Sequence, residues 1–148
     1  KPPTMFSGGG GLVSTTDDYL RFCRMLLNGG TLDGVQILSP KTIALMTVNH
    51  LPGGKDLPAL SRSLFSEEAY NGIGFGLGFA VTDGPEQTLL AGSGGDYTWG
   101  GAASTYFWID PKEELICIFM TQLLPSTTYP IRRELRTLVY SAFTDTMM

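Results

Sequence analysis

The 148-residue sequence predicts an α+β fold, an antiparallel sheet flanked by helices. Three observations predict it. Helical periodicity opens the chain, and the strongest helical stripe closes it. Between them lie strand-like runs separated by short glycine, proline and aspartate turns, the pattern of an antiparallel meander. Hydrophobic residues make up 43% and charged residues 16%, enough apolar content for one domain with a core and too much for a disordered chain.

The first feature is a glycine-rich loop, Phe6-Ser7-Gly8-Gly9-Gly10-Gly11-Leu12-Val13. It lacks the lysine and the spacing of a phosphate cradle, so a tight turn with close backbone approach is expected. A helix follows. Ser14, Thr15 or Thr16 can cap it, and Asp17 and Asp18 lie in the first turn, where the helix dipole favours anions. Tyr19, Phe22, Cys23 and Leu26 fall at i, i+3, i+4 and i+7, a single buried face. Asn28-Gly29-Gly30 ends the helix. Ser39-Pro40 starts a second one, a cap followed by a first-turn proline, running through Ile43, Met46 and Val48 towards His50. Residues 51–71, with Pro52, Gly53, Gly54 and Pro58, lack a period and read as a long surface loop.

Residues 72–81 read as a strand in which Gly72, Gly74, Gly76 and Gly78 alternate with Ile73, Phe75, Leu77, Phe79 and Val81. One face is bare backbone, so something is expected to approach it closely. Asp83-Gly84-Pro85 is a turn, and residues 87–91 are expected to return as the partner strand. Residues 98–109 are rich in aromatic and β-branched residues. After a turn at Asp110-Pro111, the fully apolar run 115–120 is expected to be a central strand covered on both sides. In the last helix Ile131, Leu135, Leu138, Val139, Ala142 and Phe143 form the predicted buried stripe. Arg132, Arg133 and Arg136 lie off it and read as a solvated face.

Several function classes lack support. The net charge is -4, and no basic stripe suits nucleic acid. No apolar run reaches the roughly 20 residues that span a bilayer. Cys23 and Cys117 sit in apolar patterns and read as buried free thiols. With His50 they are too few for a metal site. His50, at a helix end, reads as a cap or surface residue. The chain begins Lys1-Pro2-Pro3-Thr4-Met5, without an initiating Met or signal-peptide pattern, so a preceding segment is expected.

A set of motifs, in order, resembles the β-lactamase-related serine hydrolases: class C β-lactamases, family VIII esterases and D-Ala-D-Ala carboxypeptidase relatives. The set comprises Gly10-Gly11-Leu12-Val13-Ser14-Thr15-Thr16-Asp17-Asp18-Tyr19, Met25-Leu26-Leu27-Asn28-Gly29-Gly30, Ile37-Leu38-Ser39-Pro40 and Gly74-Phe75-Gly76-Leu77-Gly78. The fifth and most specific is Trp99-Gly100-Gly101-Ala102-Ala103-Ser104-Thr105-Tyr106-Phe107-Trp108-Ile109-Asp110-Pro111. In the esterase-type branch W-G-G stands for the K-T-G triad on the strand that edges the active site. The resemblance spans nearly the whole chain but matches only the last third or so of such a family member. Residues 1–148 are accordingly expected to be a single C-terminal lobe of a larger β-lactamase-like domain.

The resemblance implies acyl transfer to a serine and hydrolysis of a small ester or amide, without metal or cofactor. The family places its nucleophile in S-x-x-K, where the lysine can help deprotonate the serine. Here no serine has a lysine three residues on, and no tyrosine has an asparagine two residues on, so the second motif, Y-x-N, is also absent. Both are expected upstream of Lys1, leaving this chain inactive alone. By motif matching, Ala102 supplies an oxyanion backbone N–H, and Trp99, Gly100 and Gly101 form a substrate-binding wall. Trp99 replaces a cation of the lactamase triad, which favours neutral acyl esters. Read without the resemblance, Trp99 is a core aromatic on a strand, and Ser93-Gly94-Gly95 is an alternative glycine pair for the site. The rival functions are a non-catalytic ligand-binding module of the same fold and a protein-interaction domain. An unpaired sheet edge predicts a homodimer or strand exchange. The resemblance leaves the compartment open between bacterial cytoplasm and periplasm.

Overall fold

A computed structural model describes residues 4–5, 7–60 and 70–146. Helix α1 (Thr16–Leu27) is capped by Thr15, whose hydroxyl accepts from the Asp18 N–H, with Asp17 and Asp18 in the first turn. It ends in a glycine cap: the Gly30 N–H donates to the Met25 carbonyl, the Gly29 N–H to that of Leu26, and Gly29 takes φ +64°. A two-stranded ribbon, β1 (Thr31–Leu32) with β2 (Val35–Gln36), leads to α2 (Pro40–Met46), capped by Ser39. A 3-10 turn at Pro52–Gly54 and the short helix α3 (Leu57–Leu60) lie in the stretch expected as loop. Asp56 ties it down, accepting from the N–H groups of Ala59 and Gly72. Residues 61–69 of that expected loop, and Phe6 of the glycine loop, lie outside the described residues.

The strands β3 (Ile73–Phe75), β4 (Ala80–Thr82), β5 (Tyr97–Gly100), β6 (Tyr106–Asp110) and β7 (Leu115–Phe119) form one antiparallel sheet in chain order, with the short helix α4 (Pro85–Thr88) after β4 and helix α5 (Ile131–Ser141) at the end. Residues 72–81 are therefore a hairpin and not one strand. Gly76 closes it by donating to the Phe79 carbonyl, and Gly78 takes φ +97°, which glycine tolerates best. Residues 87–91 do not return as a strand. Pro85 starts a helical turn, and Leu89 at φ +56° terminates it, so β5 becomes the partner of β4. The apolar run ends up in β7, an edge strand. Apolar side chains report which faces are covered, whereas a meander leaves its last strand with one neighbour however apolar it is.

The doubly covered strand is β6, whose residues are all buried. Phe107 and Ile109 face α1 in a core with Cys23, Leu26, Val81 and Tyr97. Tyr106, Trp108 and Asp110 alternate onto the α5 side. There α5 is rotated from its expected orientation: of the predicted stripe Ile131, Leu135 and Val139 are half-buried, and Leu138, Ala142 and Phe143 are exposed. Arg132 and Arg136 are buried at 4% and 5% exposure, while Leu138 is 68% exposed. The sheet face offers carbonyls, two aspartates and aromatic rings, which guanidinium groups satisfy better than leucine does. Arg136 pairs with Asp96, donates through Nε to the Ala91 carbonyl at 2.8 Å, and lies over the rings of Trp108 and Tyr140. Tyr140 donates its hydroxyl to Asp110 at 2.7 Å. Only Arg133 of the three arginines is exposed as expected.

The bare glycine face does have an occupant. A Cβ on Gly74 would lie 2.1 Å from Asn49 Cγ, and one on Gly76 would lie 2.1 Å from the Met46 carbonyl oxygen. Asn49 Oδ1 accepts from the N–H of Phe75 and Leu51, and His50 N–H donates to the Phe75 carbonyl at 2.8 Å. The segment after α2 thus covers the outer strand β3. The glycine-rich loop behaves differently: no described heavy atom comes within 4 Å of a Cβ built on Gly8, Gly10 or Gly11. Gly11 is instead required by its φ of +106°.

Candidate active site

The register of β5 sets up the site. Strand β4 pairs only with Tyr97 and Thr98, whereas β6 pairs with all four residues, including Trp99 with Phe107 and Gly100 with Tyr106. Trp99 and Gly100 therefore run past the end of β4, and on that side their strand edge has no ladder partner. Trp99 is 44% exposed and meets Phe75 edge-on at 5.0 Å, so it is not a core aromatic. Ser93-Gly94-Gly95 sits at the opposite end of β5, where Gly95 donates to the Thr82 carbonyl, and it takes no part in this edge.

Trp99, Gly100 and Gly101 line a cavity of about 420 Å³, with Tyr19, Phe107 and Met120 among its other walls. Among the described residues no Asp, Glu, Lys, Arg or His lines it. Ser14 and Thr15 border it, but Thr15 is committed to capping α1, and among the described residues no basic side chain lines the cavity beside them. Tyr19 has its pKa pushed up to about 12 by burial and then by Cys23, so its phenol keeps its proton at neutral pH. The described residues thus contribute an apolar, uncharged wall and no activated nucleophile.

Beyond Gly100 the chain makes a tight turn. The Ser104 N–H donates to the Gly101 carbonyl at 3.1 Å, and the Gly101 N–H donates to that of Thr105 at 2.9 Å. Ser104 takes φ +69° and is held there, its hydroxyl donating to the Leu123 carbonyl at 2.8 Å. Arg132 reaches this turn from α5, donating through Nη2 to the carbonyls of Gly101 at 2.7 Å and Thr105 at 3.2 Å. Ala102 is exposed, and among the described residues no acceptor takes its N–H. It is not part of the cavity lining, so Trp99, Gly100 and Gly101 are brought together on one wall with Ala102 at its rim.

Reading by motif missed Arg132 as part of this region, and Arg136 as a buried partner of Asp96 at the far end of β5. The available signal was spacing: Arg132, Arg136 and Tyr140 recur at i, i+4 and i+8 on one helical face. His50 accepts no comparable role; its Nε2 lies 2.7 Å from the Leu45 carbonyl at the surface. Both cysteines are free, and no group of metal-ligating side chains occurs among the described residues. No described helix is long and apolar enough to cross a membrane.

Comparison with known proteins adds relatives. The family model described as Beta-lactamase matches residues 1–141. Protein Rv1367c of Mycobacterium tuberculosis (strain ATCC 25618 / H37Rv) is 41% identical over 127 residues, covering 84% of this chain and 31% of its own length. Acyltransferase calJ of Penicillium decumbens is 32% identical over 127 residues, covering 80% of this chain and 29% of its own length. The chain spans about a third of the length of these curated relatives. Among solved structures, EstCE1, a hydrolase with promiscuous acyltransferase activity, shares the fold with a TM-score of 0.60 at 24% identity over 84% of this chain and 29% of its own. Unliganded simvastatin synthase (LovD) from Aspergillus terreus does so with a TM-score of 0.64 at 23% identity, over 84% and 34% of the two chains.

Proposed function

Because the chain belongs to the beta-lactamase family, we propose that it forms one wall of a serine acyl-transfer site, as the C-terminal lobe of a longer protein whose S-x-x-K segment lies outside these 148 residues. The observation that carries this reading is the Trp99-Gly100-Gly101 edge, which runs past β4 along an uncharged cavity and ends at the unpaired Ala102 N–H. In the reaction the serine oxygen attacks the carbonyl carbon of a small ester or amide. The π electrons move onto the carbonyl oxygen, and Ala102 N–H donates to the oxyanion so formed. Collapse expels the leaving group with a proton, and water then cleaves the acyl-serine to a carboxylic acid. One such donor is worth about 10²–10³ in kcat, provided it is aimed before the charge appears.

The uncharged lining supports neutral acyl esters over carboxylate-bearing lactams, because Trp99 offers apolar surface where a cation would hold an acid. An alcohol acceptor in place of water is the second reading, favoured by the relative named as an acyltransferase. By itself the short chain is expected to be inactive and, through the open edge of β7, to sediment as a homodimer.

The test is hydrolysis of p-nitrophenyl acetate and nitrocefin by the 148-residue chain beside the full-length protein. Turnover by the longer protein alone, lost when its S-x-x-K serine is replaced, supports the reading. Serine-dependent turnover by the short chain would mean that the nucleophile lies within it. A full-length protein without any such serine would instead point to a ligand-binding or interaction module.

A further inference from the structure

We infer that Arg132 is a positioning residue that aims the Ala102 N–H by holding the carbonyl of the same peptide unit. The inference rests on the reading of the Trp99–Ala102 wall given above. In a trans peptide the carbonyl and the following N–H point in opposite directions. The Gly101 carbonyl points inward and accepts two hydrogen bonds, from Ser104 N–H at 3.1 Å and from Arg132 Nη2 at 2.7 Å. With the carbonyl so fixed, the Ala102 N–H points away from α5.

A second observation is independent of the hydrogen bonds. A Cβ on Gly100 would lie 2.8 Å from both Cζ and Nη2 of Arg132. Glycine at this position is therefore needed on the helix side, where the guanidinium crosses the strand, whatever it also does for a substrate. Arg132 itself has little freedom. It is 4% exposed, lies 5.4 Å from the centre of the Tyr106 ring, and donates also to the Thr105 carbonyl at 3.2 Å. Thr105 and Gly101 are the two ends of the turn, so one guanidinium clamps its neck.

Its charge acts as well. A cation donating to the carbonyl oxygen polarises the peptide and makes its N–H a stronger donor. The same positive charge lies behind the position where an oxyanion would form. No proton or substrate atom passes through Arg132, which acts only through the peptide it holds.

The full-length protein with [¹³C′]Gly and [¹⁵N]Ala tests this directly. Gly101-Ala102 is the sole Gly-Ala step in these 148 residues, so a carbonyl–amide correlation selects it from this region. In Arg132→Met the Gly101 carbonyl resonance is expected to move upfield and the Ala102 amide to shift with it. Ester kcat is expected to fall roughly 10- to 100-fold with KM within about threefold, the split of an interaction made in the transition state. Arg132→Lys, which keeps a charge and a donor, should recover part of the loss. Gly100→Ala should reproduce it by pushing the guanidinium aside with Arg132 still present. An unmoved Gly101 carbonyl in Arg132→Met overturns the inference, and so does a moved carbonyl with kcat unchanged. If the unmodified protein shows no serine-dependent turnover, the proposed function fails, and the catalytic half of this inference with it. The carbonyl shift still decides whether Arg132 holds the peptide.

Discussion

Arg136 and Asp96 form a buried ion pair, nitrogen to oxygen 2.5 Å, that joins the last helix to the start of β5. Asp96 is fully buried and takes a second bond from the Thr82 hydroxyl at 2.7 Å. Burial raises the carboxyl of Asp96 and would lower the guanidinium of Arg136, but the charge of Asp96 more than reverses the latter. We take the pair as ionised, because a guanidinium keeps its proton in proteins. Removing one partner leaves a buried charge alone, so Arg136→Met should lose about 3–5 kcal/mol in urea unfolding. Asp96→Asn in the same background should cost less than the sum of the single changes.

Gly74→Ala tests the covering of β3. Its Cβ would meet Asn49 at 2.1 Å and displace the carboxamide that accepts from Phe75 and Leu51. A loss of about 1–3 kcal/mol is expected. The penalty should shrink when Asn49 is first replaced by Ala, and equal penalties in the two backgrounds would rule this contact out as its cause.

Stability should fall at alkaline pH. Burial pushes the Cys23 thiol up to about 12 and, together with Cys23, the Tyr19 phenol to about 12. Below about pH 8.5, the ordinary thiol value, folded and unfolded chains both hold the proton and pH has no effect through this group. Above it the unfolded chain releases its proton first, so stability declines as pH rises towards the folded value. Tyr19 adds a decline of the same sign from about pH 10. Denaturation between about pH 8 and 11 should show a shallower decline in Cys23→Ala, which also loses packing at every pH. Native Cys23 should resist thiol reagents at pH 8.

Trp99 should set substrate preference in the full-length protein. Trp99→Ala is expected to lower kcat/KM for a neutral ester roughly tenfold, about 1.4 kcal/mol of lost apolar contact. Trp99→Lys places an ammonium in a cavity that has no charged lining among the described residues, and should shift the nitrocefin-to-ester ratio of kcat/KM towards the acid. A ratio unchanged in both variants would remove Trp99 from the binding wall.

What could be read from the chain beforehand was local. Thr15, the paired aspartates and Gly29-Gly30 mark the ends of α1 because caps act within a few residues. The Trp99-Gly100-Gly101 segment stood out by motif; of the glycines expected to share one bare face, Gly74 and Gly76 do meet a close neighbour, whereas Gly78 meets none and serves the hairpin turn. The α5 face was misassigned because its partners are distant in the chain: Asp96 is 40 residues from Arg136, and Gly101 is 31 from Arg132. Hydrophobic ranking cannot anticipate such partners. The edge position of β7 was hidden for a related reason, since strand order is a property of connections and not of side chains.

The polar underside of α5 has a consequence for how firmly the helix is indexed along the sheet. Leucines against a smooth apolar surface can slide by a fraction of a turn and lose little contact. Arg132, Arg136 and Tyr140, one helical turn apart on α5, instead engage three fixed points, Gly101, Asp96 and Asp110. Any translation or rotation breaks all three together, and the short directional bonds have no near-equivalent seat. The helix behaves like a notched key: its setting is all or none, and the turn at Gly101 is held at one height relative to β6.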